Sequence, residues 1–248
     1  MRLLAVLVNY GNEQLDYLQK VIKELKSFDK YDVTIIVNSN IELDNIQGID
    51  HVEVVKLNNY QMLPMTCRNV IWHYRDDFDI FLFGENDHLF KEIHIDNHIK
   101  YTNILPDNRI SGLIQYEQDD KGRFYPAYHA NYDWDFESVE EYNGLKFAHF
   151  NNLHQATFIL TKEQLLRIGE MYDFTKFFGE SHYSMKCKTN TDIFQFCRMK
   201  KLICISEFEN NLIHHLPDIY IKGERGRDSL GSSESKMYNS LKRLLKNG

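Results

Sequence analysis

The segment from Asp79 to His88 constrains the fold more than any other stretch of this chain. A mostly apolar run, Phe78 to Phe83, predicts a strand that ends in two carboxylates one residue apart, Glu85 and Asp87, with Asn86 between them and His88 after. A short apolar run of this kind reads as a strand buried on both faces of a sheet. The carboxyl ends of such strands are where open α/β sheets place their ligands. Along an extended chain Glu85 and Asp87 would project to the same side. Two hard oxygen donors there suit a divalent cation that also meets diphosphate oxygens. A strand that simply ends in a polar turn is the plainer alternative.

The order of elements around this segment favours the ligand reading. Leu3 to Val8 predicts a strand ending in Asn9-Tyr10-Gly11, a turn signal, and Leu15, Leu18, Val21, Ile22 and Leu25 then recur at helical spacing. Val33 to Val37 predicts a second strand, ended by Asn38-Ser39-Asn40, and Val52 to Leu57 a third, ended by Asn58-Asn59. Met65 to Tyr74 reads as a helix with Pro64 suited to its first turn. Alternating strands and helices imply a doubly wound, mostly parallel sheet with right-handed crossovers. Polar loops are thereby gathered along one edge.

The second half is organised differently. Ile93 to Leu105 predicts a helix, Ile110 to Tyr116 a strand, and Asp119 to Phe150 an irregular, aromatic-rich, partly β segment. Within it Trp134, between Asp133 and Asp135, is expected to be exposed and able to stack on a flat ligand face, while most of the other aromatics fill a small core. Ala156 to Leu160 predicts a strand and Thr161 to Gln164 the capped start of a helix. Asn190-Thr191-Asp192 reads as the opening of another helix. Leu212 to Leu216 contains His214 and His215, which an extended chain points to opposite sides, so that one of them, His215 by preference, is free to face a metal. Residues 222–235 are rich in Gly and Ser and predict a mobile loop, with Lys222, Arg225 and Arg227 able to close over diphosphate. Met237 to Leu245 predicts an amphipathic helix that docks on the domain or on a second copy of the chain, making a homo-oligomer.

Composition narrows the function. A net charge of −7 disfavours an electrostatically driven nucleic-acid binder without excluding a nucleic-acid acceptor. The four cysteines show no CxxC pairing and are expected to be reduced core thiols. No apolar run approaches the ~20 residues of a transmembrane helix, and Met1-Arg2 leads straight into a strand without a signal-peptide pattern, so a cytoplasmic protein is expected.

Taken together, Val6-Leu7-Val8-Asn9-Tyr10, Cys67-Arg68-Asn69, Glu85-Asn86-Asp87, Thr191-Asp192 and His214-His215 resemble, in order and spacing, the motifs of family-2-like GT-A glycosyltransferases. The resemblance covers residues 1–90 and 147–217. It implies a GT-A-like, Rossmann-type α/β fold in one catalytic domain over residues 1–221, with a nucleotide-sugar half (1–90) and an acceptor half (91–221), followed by the loop and helix of 222–248. It further implies that Asn9, Tyr10, Asn38, Arg68, Asn69, Glu85 and Asn86 bind the donor, a nucleotide-diphosphate sugar of the UDP type. Asp87 and His215 would bind Mn2+ or Mg2+, and Asp192 would be the general base toward a glycan or other hydroxyl acceptor. The chain departs from the family where Glu85 replaces an Asp, Thr191 replaces a Glu, and the first loop lacks the usual Pro and Tyr-Asn. A catalytically silent nucleotide- or glycan-binding relative is the alternative. A nucleotidyltransferase is a weaker one, since no Gly-rich phosphate loop with a basic residue lies near the amino terminus.

Overall fold

The computed structural model describes residues 1–126, 133–222 and 231–246. The elements in chain order begin with β1 (Arg2–Asn9), α1 (Leu15–Lys26), β2 (Asp32–Ser39), β3 (His51–Val54), α2 (Leu63–His73), β4 (Ile80–Glu85), β5 (His88–Leu89) and α3 (Glu92–Thr102). Next come β6 (Arg109–Ser111), β7 (Ile114–Asp119), β8 (Gly122–Pro126), β9 (Glu140–Tyr142), β10 (Leu145–Ala148) and β11 (Thr157–Thr161). The last are α4 (Lys162–Met171), α5 (Met185–Phe196), β12 (Lys200–Cys204), β13 (Leu212–His215), β14 (Gly231–Ser233) and α6 (Glu234–Lys246). The chain is thus mixed α/β, with several sheets and, among the described residues, six α-helices. It divides into two compact units, Met1–Ile95 with Ala156–Cys197, and Asp96–Gln155 with Arg198–Gly248. Residues 156–197 therefore cluster with the amino-terminal strands.

The first unit is built on a sheet of order β11-β4-β1-β2-β3, in which β4, β1, β2 and β3 run parallel and β11 is antiparallel to β4. Leu3 to Leu7 and Ile80 to Phe83 have no exposed surface, which accounts for their uninterrupted apolar sequence. Leu18, Val21, Ile22 and Leu25 of α1 are buried, as their spacing predicts. Each such side chain contributes roughly 1.5–3 kcal/mol on leaving water. Pro64 lies in the first turn of α2. α4 starts at a capping box: Gln164 N–H donates to Thr161 Oγ1 and Thr161 N–H to Gln164 Oε1.

The second unit carries one sheet of order β6-β12-β10-β9 and a set of strands in the order β14-β8-β7-β13. The strand expected from Ile110 to Tyr116 is broken in two. A Cβ on Gly112 would lie 2.5 Å from Lys201 Cδ, and Leu113 N–H donates to Gln155 Oε1, so the chain bends there and changes sheet. β6 pairs with β12, and β7 with β13 and β8. The apolar side of α6 (Met237, Leu241, Leu244) is buried in a core with Tyr125, Trp134, Phe150 and Phe208. That face docks on its own unit. No helix among the described residues is long and apolar enough to cross a membrane. The four cysteines are free and buried.

Candidate functional site

Strand register sorts the polar residues at the carboxyl edge of the first unit's sheet onto two sides. Val8 is level with both Asn38 and Glu85, and Asn9 with Ser39. On one side, Asn9 donates to Ser39 Oγ (3.2 Å) and Gly11 O (3.0 Å), and its oxygen accepts from Asn86 (2.7 Å). Gly11, at φ +70°, donates its N–H to Asn40 Oδ1. Asn9 and Asn86, both buried, therefore tie together the loops that end β1, β2 and β4. On the other side, Asn38 donates to Thr66 Oγ1 of α2 (2.7 Å), while its own Oδ1 is buried without a partner. Tyr10 is exposed and packs on Tyr60, ring centroids 5.4 Å apart.

The expectation that Glu85 and Asp87 share a side does not hold, because β4 ends at Glu85 and Asn86-Asp87 form a turn. Glu85 falls in the row of Asn38, toward α2 and α5. Its charge acts on Cys187, whose thiol is pushed up to about 11, chiefly by burial. Asp87 instead accepts from Gln14 Nε2 (3.2 Å), just before α1, and its other oxygen lies 2.8 Å from His88 Nδ1. Both Asp87 and His88 are buried.

In the second unit, β7 and β13 set Tyr116 beside His214 and bring Glu117 against His215. Tyr116 and the His214 ring stack at 4.8 Å, and His214 also pairs with Asp218 (3.3 Å). His215 Nδ1 lies 2.6 Å from Glu117 Oε1, and Glu117 Oε2 accepts the N–H groups of Tyr220 and Ile221. Glu117 has no exposed surface. A carboxylate holding one ring nitrogen fixes the imidazole's tautomer and turns its other nitrogen into an acceptor, the arrangement found behind metal-bound histidines. Lys222 Nζ donates to Pro217 O. Arg225 and Arg227, the other two expected loop cations, lie outside the described residues.

Three assignments change place. Arg68, expected at the donor, is wholly buried: it donates to Phe174 O (2.7 Å) and Lys176 O (2.9 Å), lies 3.5 Å from Asp192, and is flanked by the Phe174 and Phe178 rings. Burial lowers its pKa to about 10 against the opposing pull of Asp192. Its neighbour Asn69 is exposed. Asp192 is not at a helix start, because α5 begins seven residues earlier at Met185, after Ser184. Its Oδ2 also accepts from Phe178 N–H (3.0 Å), and Oδ1 makes a 3.1 Å ion pair with Lys188. Asp192 has no exposed surface. Trp134, expected to be exposed for stacking, is buried between Phe150 (5.0 Å) and Phe208 (6.4 Å) in the second unit's core. Flanking aspartates are therefore a poor guide to exposure: Asp133 turns back to accept the Trp134 N–H.

Sequence reasoning missed Glu117, Gln14 and the closeness of His88 to Asp87. For Glu117 the only signal was a charge following the apolar Ile114 in a short strand. For Gln14 there was none. No family model and no curated protein matches this chain. Among solved structures the chain is similar to A197 from STIV, known from its crystal structure, with 15% identity and a TM-score of 0.42 over 82% of this chain and 81% of that one. At that level the likeness bears on neither the activity nor the ligand.

Proposed function

We propose that the chain is a metal-dependent glycosyltransferase of GT-A-like, Rossmann-type organisation, which takes a sugar from a nucleotide-diphosphate donor. The observation that carries the reading is the buried carboxylate–imidazole pair of Asp87 and His88 in the turn closing β4, at the carboxyl end of a parallel strand. Asp87, His88 and His215 are buried residues of metal-ligating type. The carboxylate and imidazole of Asp87 and His88 fit a divalent cation. Imidazole nitrogen beside carboxylate oxygen suits Mn2+ better than Mg2+, which favours oxygen alone. The Glu117 carboxylate on His215 Nδ1 supports a role for Nε2 as a ligand. Bound there, the cation would neutralise charge on the departing diphosphate.

The protein's own residues supply the rest. Asn9 and Asn86 hold the three edge loops in register, and Gln14 fixes one Asp87 oxygen. The buried, unpartnered Oδ1 of Asn38 is an acceptor for a hydroxyl or N–H donor of the ligand on the α2 side. A second reading, binding without transfer, is favoured by one observation: Asp192, the base implied by resemblance, is enclosed and paired with Arg68 and Lys188. Release of nucleoside diphosphate from UDP-sugars, measured with and without manganese, tests both. Metal-dependent release supports transfer, a metal-dependent thermal shift without release supports the binding relative, and neither result overturns both readings.

A further inference from the structure

α5 lies against α2 and the Tyr60–Met62 turn within the first unit and turns a row of polar side chains inward. Residues three and four apart share a helix face, which places Asn190 one turn beyond Cys187 and one turn before Phe194. Asn190 has no exposed surface, and neither its Nδ2 nor its Oδ1 has a hydrogen-bond partner. Thr191 on the same side is satisfied, its hydroxyl donating back to Cys187 O (3.1 Å). Thr189 Oγ1 and Gln195 Oε1 of the same helix are also buried without a partner, but among the described residues Asn190 alone has both ends of an amide unmet.

Burying an amide with both ends unmet costs stability, and native structures tolerate few such groups without a reason. Two features locate the turn of α5 that carries it. Cys187, its neighbour one turn back, feels the negative charge of Glu85 at the end of β4. Glu85 in turn stands level with Asn38, whose Oδ1 is likewise buried and unmet. The orphaned amides thus belong to the side of the sheet edge that carries α2 and α5. An amide offering one donor and one acceptor together matches two adjacent hydroxyls, one accepting and one donating.

Resting on the proposed function, we infer that Asn190 is a specificity residue that reads a vicinal diol of the donor's sugar through Nδ2 and Oδ1. Asn38 adds one acceptor for a further hydroxyl or N–H on the same side.

The test compares wild type, Asn190→Leu and Asn190→Ala by thermal shift in manganese with no ligand, with UDP, with UDP-glucose and with UDP-N-acetylglucosamine. Leucine keeps asparagine's branching and heavy-atom count, is somewhat bulkier, and removes both unmet groups, so relief of the unmet amide should offset the added bulk and leave the ligand-free Tm within about 2–4 °C of wild type. UDP should stabilise wild type and variants alike. The extra affinity of the best UDP-sugar over UDP should fall by roughly ten-fold in both variants. A large fall in ligand-free Tm for Asn190→Leu would mean the amide is a structural partner and would overturn the inference. Full retention of the sugar-dependent increment in both variants would overturn it while leaving the donor reading intact. If no nucleotide shifts wild type, the donor reading fails and takes this inference with it.

Discussion

Replacing Arg68 with alanine separates a structural role from a donor-binding one. The guanidinium is fully enclosed, bonded to Phe174 O and Lys176 O, packed between two phenyl rings, and 3.5 Å from Asp192. Removing one partner of a buried ion pair typically costs about 3–5 kcal/mol, because the charge left behind stays buried. Here Lys188 remains 3.1 Å from Asp192 and softens that loss, which places the expected cost near the lower end, about 3 kcal/mol. For a chain of this size that corresponds to a fall in Tm of roughly 6–12 °C. Arg68→Ala should therefore lose stability in urea and thermal unfolding while the folded fraction binds nucleotide normally. Combining it with Asp192→Asn should cost less than the sum of the two, because both act on one pair. A Tm within about a degree of wild type, well inside the loss expected for a buried pair, together with weakened UDP binding would refute this and return Arg68 to the donor site.

Other residues give sharper single tests. Lys201 is enclosed against Asn152 O, Leu153 O and Gln155 Oε1, and burial lowers its pKa from 10.5 to about 7. Between those values the unfolded chain holds the extra proton, so stability contributed by this group rises with pH from about 7 to 10.5 and is flat below. Urea titrations of wild type and Lys201→Met across that range should differ by this slope, and parallel curves would contradict it. Glu117→Gln should weaken manganese binding about 10- to 100-fold by freeing the His215 ring, as read by isothermal titration. Gly84→Ala would set a Cβ 2.4 Å from the Phe90 ring and should cost about 1–3 kcal/mol in urea unfolding. An unchanged midpoint there would mean the ring moves freely.

The sheet of the first unit was legible because its cause is local. Continuous apolar runs mark strands covered on both faces, and the 3.6-residue recurrence from Leu15 to Leu25 marks the helix between them. The capping box at Thr161 was legible for the same reason. What failed depended on distant partners. Gly112 breaks an apolar strand because Lys201, far along the chain, fills the space a side chain would need. Asn190-Thr191-Asp192 has the composition of a helix cap, yet it lies inside α5 because Asp192 gathers Arg68, Lys188 and the Phe178 amide. Trp134 looked exposed between two aspartates but fills a core that α6 closes with residues a hundred positions later. Asp87 and His215 were singled out from residue type and place, whereas their supports within each unit, Gln14 and Glu117, came from loop and strand geometry that no local pattern carries.

The central claim is that Asp87 anchors a divalent cation which this chain uses to hold a nucleotide diphosphate. Isothermal titration of manganese(II) into the protein with UDP present, for wild type, Asp87→Ala and His215→Ala, tests it most directly. Circular dichroism on the same samples would verify folding. The account predicts saturable binding by wild type, none by Asp87→Ala, and weakened binding by His215→Ala. Wild-type affinity in a folded Asp87→Ala variant, or no binding by wild type at all, would contradict it.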